Sequence, residues 1–305
     1  MFRSFKLTLI QTGVAFFITQ GLFAAVNAHF RGQFGNQLFQ AAAAISLALE
    51  NNCEVNFPDF VKLSDPNWGK GWDLRDNYNR FLRHLPHQSI DKKPSFLYQE
   101  PPGPCYYPIP YQPEIEIEGY FLSEKYFFKY RNLIKKLFAP PKEIEKDLIQ
   151  DFSWLIDQDK TVAVHVRTGY YDFLKSAPDF YSRYPPPDFE YYKRAMELFD
   201  PDSTFVVFSD YLPLCKKQFQ DTNRKIIFIE GQDHIHDFYL ITFCKHVIIA
   251  NSTFGWWAAY LNTNPSKKVV CRDPFYGSWN EKSDDALCDD WIRLPMSLNV
   301  PPPVF

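Results

Sequence analysis

The sequence predicts an α/β protein whose second half is a doubly wound parallel sheet. Thr161–Val166 and Thr204–Phe208 are short, almost wholly apolar runs, the mark of strands covered on both faces. From residue 161 onward the chain alternates strand, helix, strand, helix, strand, helix, strand, which is the order of βαβ units. A strand–turn–helix transition around Gly32 points to a second α/β unit in the first half. The 305 residues suit one large domain or two of roughly 150 residues. The expected division is a hydrophobic segment at 1–25, a first α/β lobe at 26–155 and a second at 156–305, with the boundary between 139 and 160.

The elements follow in order. Val26–Phe30 reads as the first core strand and Gly32-Gln33-Phe34-Gly35 as a turn. Asn36 is expected to cap the next helix, and Gln37–Leu49 is Ala- and Leu-rich without a breaker, a well-buried helix. Cys53–Phe57 is a second strand. Residues 58–113 are rich in Pro and charge and read as long loops with short elements, the kind of segment that carries specificity. Ile115–Phe121 alternates weakly as a strand, and Ser123–Phe138 is a helix capped by Ser123. Pro140-Pro141 ends it, and another helix runs to about Ile156. After Thr161–Val166 come helix Asp188–Phe199, strand Thr204–Phe208, a short helix near Leu212–Phe219 and strand Lys225–Ile229. Helix Ile235–Cys244, strand His246–Ala250, helix Ser252–Asn262 and strand Lys267–Cys271 complete the series.

Composition removes some functions. The net charge is −3, without the basic stripe of a nucleic-acid footprint. The six cysteines form no CxxC pair, which argues against a zinc site or a dense disulfide framework. At the N-terminus, Arg3 and Lys6 precede an apolar run, Leu7–Val26, about as long as a membrane span but diluted by Thr8, Gln11, Thr12, Thr19 and Gln20. It reads as a retained anchor, a signal peptide cut after Ala28, or a leading helix. Cleavage would remove most of strand Val26–Phe30, so a membrane-associated chain anchored through residues 7–26 is expected, with a cytoplasmic one as the alternative.

Ligands of such sheets bind at the carboxyl ends of the strands, and three segments bring polar groups there. His165-Val166-Arg167-Thr168-Gly169-Tyr170-Tyr171 ends the first buried strand. A guanidinium in that place can clamp a diphosphate with two parallel hydrogen bonds, or sit in a structural ion pair. Phe208-Ser209-Asp210 offers a carboxylate to a ribose or base, or caps the next helix. Ala250-Asn251-Ser252-Thr253-Phe254-Gly255-Trp256-Trp257 opens a helix with two hydroxyls and free N–H groups, an anion cradle. Trp256 and Trp257 are expected in the core. A leaving diphosphate stabilised by a fixed Arg and helix N–H groups requires no metal.

Together these segments resemble the α-1,2-fucosyltransferases, glycosyltransferase family 11. Gly32-Gln33-Phe34-Gly35-Asn36-Gln37 stands where the family has Gly-Gly-Leu-Gly-Asn-Gln. Gly119-Tyr120-Phe121 through Lys125-Tyr126-Phe127 matches its Gly-Tyr-aromatic…Lys-Tyr-Phe stretch. His165–Tyr171 partly matches His-Val-Arg-Arg-Gly-Asp-Tyr, Phe208–Tyr211 matches Phe-Ser-Asp-Asp, and Asn251–Ala259 matches Asn-Ser-Thr-Phe-Ser-Trp-Trp-Ala-Ala. The resemblance covers residues 26–262, with all five motifs in order. It implies a GT-B-like fold of two Rossmann-like lobes with a cleft between them, acceptor on the first lobe and GDP-fucose on the second. It also implies an inverting hexosyltransferase that moves L-fucose to the 2-hydroxyl of a terminal galactose in a glycan, with no metal or other cofactor. The residues it singles out are Arg167, His165 and Asp172 for catalysis; Arg167, Ser209, Asp210, Asn251, Ser252, Thr253 and Phe254 for the donor; and Gly32, Gly35, Asn36 and Gln37 for the first-lobe turn. Three positions depart from the pattern: Thr168 replaces the second Arg, Tyr170 the Asp, and Tyr211 the second Asp of Phe-Ser-Asp-Asp. Asp172, two positions beyond Tyr170, is the expected substitute base. Two alternatives follow, a member that binds GDP-sugar or glycan without efficient turnover, and a fucosyltransferase of another linkage.

Overall fold

The protein is seen in a computed structural model that describes residues 7–9, 15–17, 25–65, 74–88, 94–103, 105–156, 158–168, 185–275 and 284–295. The chain divides into two compact units, Met1–Ala139 and Pro140–Phe305. The division falls at the Pro140-Pro141 break, at the early end of the expected 139–160 range, because the helix that follows packs against a helix of the second unit.

In the first unit a short antiparallel ribbon pairs β1 (Leu7–Leu9) with β2 (Ala15–Phe17). The rest of the expected anchor lies outside the described residues, and among the described residues no helix is long and apolar enough to cross a membrane. The unit is built on four parallel strands, β3 (Ala25–Ala28), β4 (Glu54–Asn56), β5 (Phe96–Gln99) and β6 (Ile115–Glu118), in the order β4-β3-β6-β5. Helix α1 (Phe34–Glu50) packs on β3 and β4, and its residues from Phe34 to Ala48 are buried almost without exception, as its Ala- and Leu-rich run requires.

The expected cap at Asn36 is corrected. The helix starts at Phe34, with Gln33 at the cap position and no capping side chain. Gly32 makes the turn with φ +73°, and a Cβ there would lie 2.2 Å from Asn36 Nδ2, so the Asn36 side chain instead folds back over the glycine. The stretch 123–138 is also less helical than expected. Two 3₁₀ turns precede α3 (Arg131–Leu137), and the Ser123 hydroxyl accepts from Lys125 N within the first turn. Within 58–113 the structure adds a 3₁₀ turn at Pro58–Ser64, helix α2 (Leu74–Arg80) and strand β5.

A half-buried carboxylate fixes the end of β6. Glu100 accepts hydrogen bonds from Tyr120 N (2.7 Å), Phe121 N (2.8 Å) and the Tyr126 hydroxyl (2.9 Å). It reaches them because Gly119 has no side chain, since a Cβ there would sit 2.5 Å from Glu100 Cβ. Gly119→Ala is therefore expected to destabilise the protein by about 1–3 kcal/mol, seen as a lower Tm. An unchanged melt would show that Glu100 can move aside freely.

The second unit begins with α4 (Lys142–Ile156) and continues as a six-stranded, wholly parallel sheet. Its strands are β7 (Thr161–Val166), β8 (Thr204–Ser209), β9 (Lys225–Phe228), β10 (His246–Ile249), β11 (Val269–Asp273) and β12 (Ile292–Pro295). Their order is β12-β11-β10-β7-β8-β9. The first strand lies at the centre and the chain winds outward in both directions from it, the doubly wound order of dinucleotide-binding folds. β12 has no counterpart in the sequence reading, because Ile292-Arg293-Leu294-Pro295 is too short and mixed to show strand periodicity.

Helices α5 (Phe189–Met196) and α6 (Leu212–Phe219) cover one face. There Tyr191, Tyr192, Ala195, Met196, Cys215 and Phe219 pack with Val162, Val164, Val166, Phe205, Val207, Ile248 and Val270. Helices α7 (His234–Phe243) and α8 (Thr253–Leu261) pack on one another, and α4 packs on α7. Trp256 and Trp257 are fully buried, as expected of them.

Candidate functional site

The winding order reverses between β7 and β10, which are hydrogen-bonded neighbours with His165 opposite Ile249. At such a reversal the loops leaving the two strands diverge over opposite faces and open a crevice at the carboxyl edge. The first and third polar segments leave the sheet at this reversal, and the second leaves from β8, the other neighbour of β7. Separations of about 40 and 80 residues along the chain thus collapse to one sheet edge.

His165 is the penultimate residue of β7 and is 6% exposed. Its ring stacks on Phe254 at 5.4 Å, and its main-chain oxygen accepts from Ala250 N at 3.1 Å. A Cβ on Gly255 would lie 2.5 Å from His165 Nδ1, so the glycine is what lets the first turn of α8 come down onto the imidazole. Burial, then the neighbouring Arg167 charge, push the imidazole down to about 4, against a smaller pull from Asp210. His165 is neutral at physiological pH. Nδ1 is buried with no hydrogen-bond partner among the described residues, an unmet polar atom at the edge of the sheet.

Arg167 follows the strand, with its side chain 27% exposed and NH1 3.4 Å from Asp210 Oδ2. The other oxygen of Asp210 accepts from Thr168 N at 2.9 Å and from the Thr168 hydroxyl at 2.8 Å. Asp210 thus holds the Arg167–Thr168 loop in place. The hydroxyl at Thr168, where the resemblance leads one to expect an Arg, satisfies a carboxylate that would otherwise face two guanidinium groups. The Ser209 hydroxyl accepts from Tyr211 N at 3.1 Å and closes the turn into α6.

At the end of β10, Asn251 donates through Nδ2 to the Pro185 carbonyl at 3.0 Å. The buried Arg272 guanidinium donates to that same carbonyl and to the Pro274 carbonyl. Asn251 is therefore a tether as much as a candidate contact. Ser252 sits at the cap position of α8 without a side-chain capping bond, and the first turn carries no acidic residue. Its hydroxyl and the Thr253 hydroxyl are left beside the positive end of the helix dipole, which favours an anion there. Phe254 packs between His165 and Phe238, 5.2 Å away. Asp172 and Tyr170 lie outside the described residues.

Asp237 escaped the sequence reading. It lies in the first turn of α7, whose capping Asp233 accepts from Ile235 N and His236 N. Because α7 begins soon after β9 ends, that turn stands at the carboxyl edge of the sheet. Asp237 Oδ1 is buried with no hydrogen-bond partner among the described residues. Burial, with Asp233 adding to it and His236 opposing, raises the carboxyl to about 7. The only sequence signal was its place four residues after the capping Asp233, in the first turn of a helix, where an acid is favoured by the helix dipole.

In the first unit the turn residues are occupied by structure. Gln37 donates to the Gly32 carbonyl at 3.0 Å and accepts from Asn77 at 2.9 Å, and Gly35 is buried in the first turn of α1. Gln40, outside the candidate list, ties Arg31 to the Gly119 carbonyl. Among the described residues no group of three or more His, Cys, Asp or Glu can hold a metal ion.

Comparison with known proteins follows the same lines. The family model described as glycosyl transferase family 11 matches residues 108–295. The "Alpha-1,2-colitosyltransferase" of Escherichia coli is 29% identical over 187 residues, which is 59% of this chain and 62% of that protein. The "Galactoside alpha-(1,2)-fucosyltransferase 1" of Homo sapiens is 30% identical over 252 residues, 75% of this chain and 63% of that protein. The matches thus span somewhat less than two thirds of these relatives' own length. Among solved structures, the fucosyltransferase NodZ from Bradyrhizobium superposes with a TM-score of 0.50 at 13% identity, covering 78% of this chain and 92% of that one. That likeness is one of fold, a GT-B-like α/β architecture.

Proposed function

The chain belongs to glycosyl transferase family 11, and from that premise we propose that it is an inverting galactoside 2-α-L-fucosyltransferase that takes fucose from GDP-fucose. The observation that carries the reading is the convergence of Arg167, His165 and the uncapped start of α8 on one reversal of the parallel sheet. Both named relatives carry the α-1,2 linkage in their names, and one names a galactoside acceptor.

Each group then has a task. The acceptor's 2-hydroxyl attacks the anomeric carbon from the face opposite the diphosphate, and the bond to the diphosphate oxygen breaks. Negative charge grows on that oxygen. Arg167 and the N-terminal N–H and hydroxyl groups of α8 stabilise it, and such preorganised donors are worth several kcal/mol in a transition state. Guanine presents two adjacent N–H donors, which suit the unmet carboxylate oxygen of Asp237. The neutral imidazole of His165 offers a donor or an acceptor without a competing charge. Asp210 positions Arg167.

Incubation of the purified chain with GDP-fucose and a panel of β-galactosides, with the product linkage fixed, tests the reading. A colitosyl donor in the same panel checks the sugar. GDP binding without transfer would identify a non-catalytic member, and a product of other linkage would correct the acceptor. The charge on the diphosphate is met without a metal in this reading. Activity is therefore expected to survive a chelator, and loss on chelation with recovery on adding manganese would contradict it. The reading includes membrane association through residues 7–26. A chain lacking 1–24 that stayed in the membrane fraction would remove that part.

A further inference from the structure

Residues 125–136 of the first unit carry five cations, Lys125, Lys129, Arg131, Lys135 and Lys136, and no acid. The whole chain has a net charge of −3, so this excess is local. An ordinary solvated helix of the same protein looks different. In α4, Lys142 and Lys146 alternate with Glu143, Glu145, Asp147 and Asp151, a pattern in which opposite charges offset one another on a wet face.

The basic segment is fixed by its inner side. Its two 3₁₀ turns and α3 place Phe127, Ile134, Leu137 and Phe138 in the core, where none is more than 1% exposed. Phe127 packs on Phe39 of α1 at 6.1 Å, and Phe138 packs on Phe81 at 6.0 Å. The outer side is thereby fixed too. It exposes Lys125, Phe128, Lys129, Arg131, Asn132 and Lys136. Phe128 keeps 50% of its surface in water. The Arg131 guanidinium lies 4.4 Å from the centre of the Phe128 ring, and Lys129 Nζ lies 5.3 Å from that of Tyr130. Such contacts hold ring and charge side by side. Lys129 also meets Glu50, at the end of α1, at 3.4 Å, an exposed pair that competing anions readily loosen.

We propose that this face docks on a membrane surface rich in anionic phospholipid. The cations meet the charged headgroups, while the Phe128 ring enters the boundary between headgroups and acyl chains. Arg131 stacks on the ring through its flat face and keeps its N–H edge for a phosphate. A nucleic acid would also meet the cations. Stacking on bases, however, needs an open ring face, and Arg131 covers one face of Phe128. An acyl layer asks only for an apolar surface. The docking face lies wholly in the first unit and is independent of the transferase reading.

The test is co-sedimentation of the full chain with vesicles of phosphatidylcholine, with and without phosphatidylserine. Phosphatidylserine should raise binding about tenfold or more, and added salt should remove most of that gain. Reversal by salt separates docking through this face from insertion of residues 7–26. Arg131→Glu combined with Lys136→Glu should lower binding to the phosphatidylserine vesicles about tenfold or more and leave binding to phosphatidylcholine unchanged. Phe128→Ser should lower it several-fold at every salt concentration, because the ring acts by apolar burial. All three side chains are exposed, so both variants should keep the wild-type Tm.

Equal binding of the wild type to the two vesicles would overturn the inference. So would an undiminished gain in the charge-reversed variant, which would trace the attraction to other cations such as Arg3 and Lys6. Unchanged binding by Phe128→Ser would do the same. Tight binding of a short single-stranded nucleic acid, with no gain from phosphatidylserine, would assign the face to that partner instead.

Discussion

Arg167→Ala is expected to cut transfer from GDP-fucose by several orders of magnitude while leaving the fold intact. The fold should hold because the Asp210 carboxylate keeps the N–H and hydroxyl of Thr168 as donors after the guanidinium is gone. The pair being lost is partly exposed and 3.4 Å long, and such pairs contribute roughly 0–1 kcal/mol. The reaction has no such reserve. The resemblance leads one to expect a second Arg, and Thr168 stands in its place, so in the proposed reaction the remaining guanidinium has to carry that share of the diphosphate charge. Removing one preorganised donor to a developing anion costs about 10²–10³ in kcat, and losing a full positive charge at the same point should cost more. Arg167→Lys is expected to recover only part, since an ammonium supplies the charge without the two-pronged fork. The measurements are kcat/KM, the Kd for GDP and Tm for all three proteins. Near-normal activity in Arg167→Ala would take the residue out of the site.

Asp237→Asn is expected to weaken GDP binding and, at the same time, to make the ligand-free protein more stable at alkaline pH. The sign follows from the raised carboxyl. In the folded chain Asp237 holds its proton up to about 7, against an ordinary 3.8. The native state thus binds the proton more tightly than the unfolded state, and stability falls as pH rises from about 4 to about 7 and stays low above it. The full difference corresponds to about 4 kcal/mol, the cost of keeping a carboxylate in a half-dry place with one oxygen unmet. Asparagine has the same shape and no charge, so the variant should match the wild type in Tm at pH 4 and exceed it at pH 8. GDP binding should run the other way. In the proposed reading the ionised carboxylate accepts from the guanine base, so wild-type affinity should rise with pH through 7 and that rise should vanish in the variant. Equal melting curves at both pH values, together with unchanged GDP affinity, would show Asp237 to be an ordinary helix residue.

The two residues differ in how they came to notice. Arg167 was legible because the run before it, Thr161–Val166, is apolar on both faces, and a cation directly after such a strand stands at the ligand-binding edge whatever the neighbours are. Asp237 sits four residues after a helix cap, in the first turn, where acids are common for local reasons. Its distinction is an oxygen left unpaired by the packing around it, which is a fact about other elements.

The sequence by itself determined the kinds of element and most of their ends. Fully apolar runs mark buried parallel strands. Pro140-Pro141 stops a helix because proline lacks the N–H that the helix needs. Ser252 starts one as its cap residue. Each of these is a property of a few consecutive residues. Strand order is not, and neither β5 nor β12 showed enough periodicity to be read. Only the tertiary structure decided that β7 and β10 are neighbours, which brings His165 under Gly255 and makes the imidazole neutral. It alone showed that Asp210 is spent partly on Thr168, and that Asn251 and Arg272 share the Pro185 carbonyl. The pairing of His29 with Asp59 across thirty positions has the same origin. A periodic pattern reports whether a side chain faces in or out. Which group it meets there depends on chain crossings that no local pattern records, and burial turns that meeting into a shifted proton affinity or an unmet hydrogen bond.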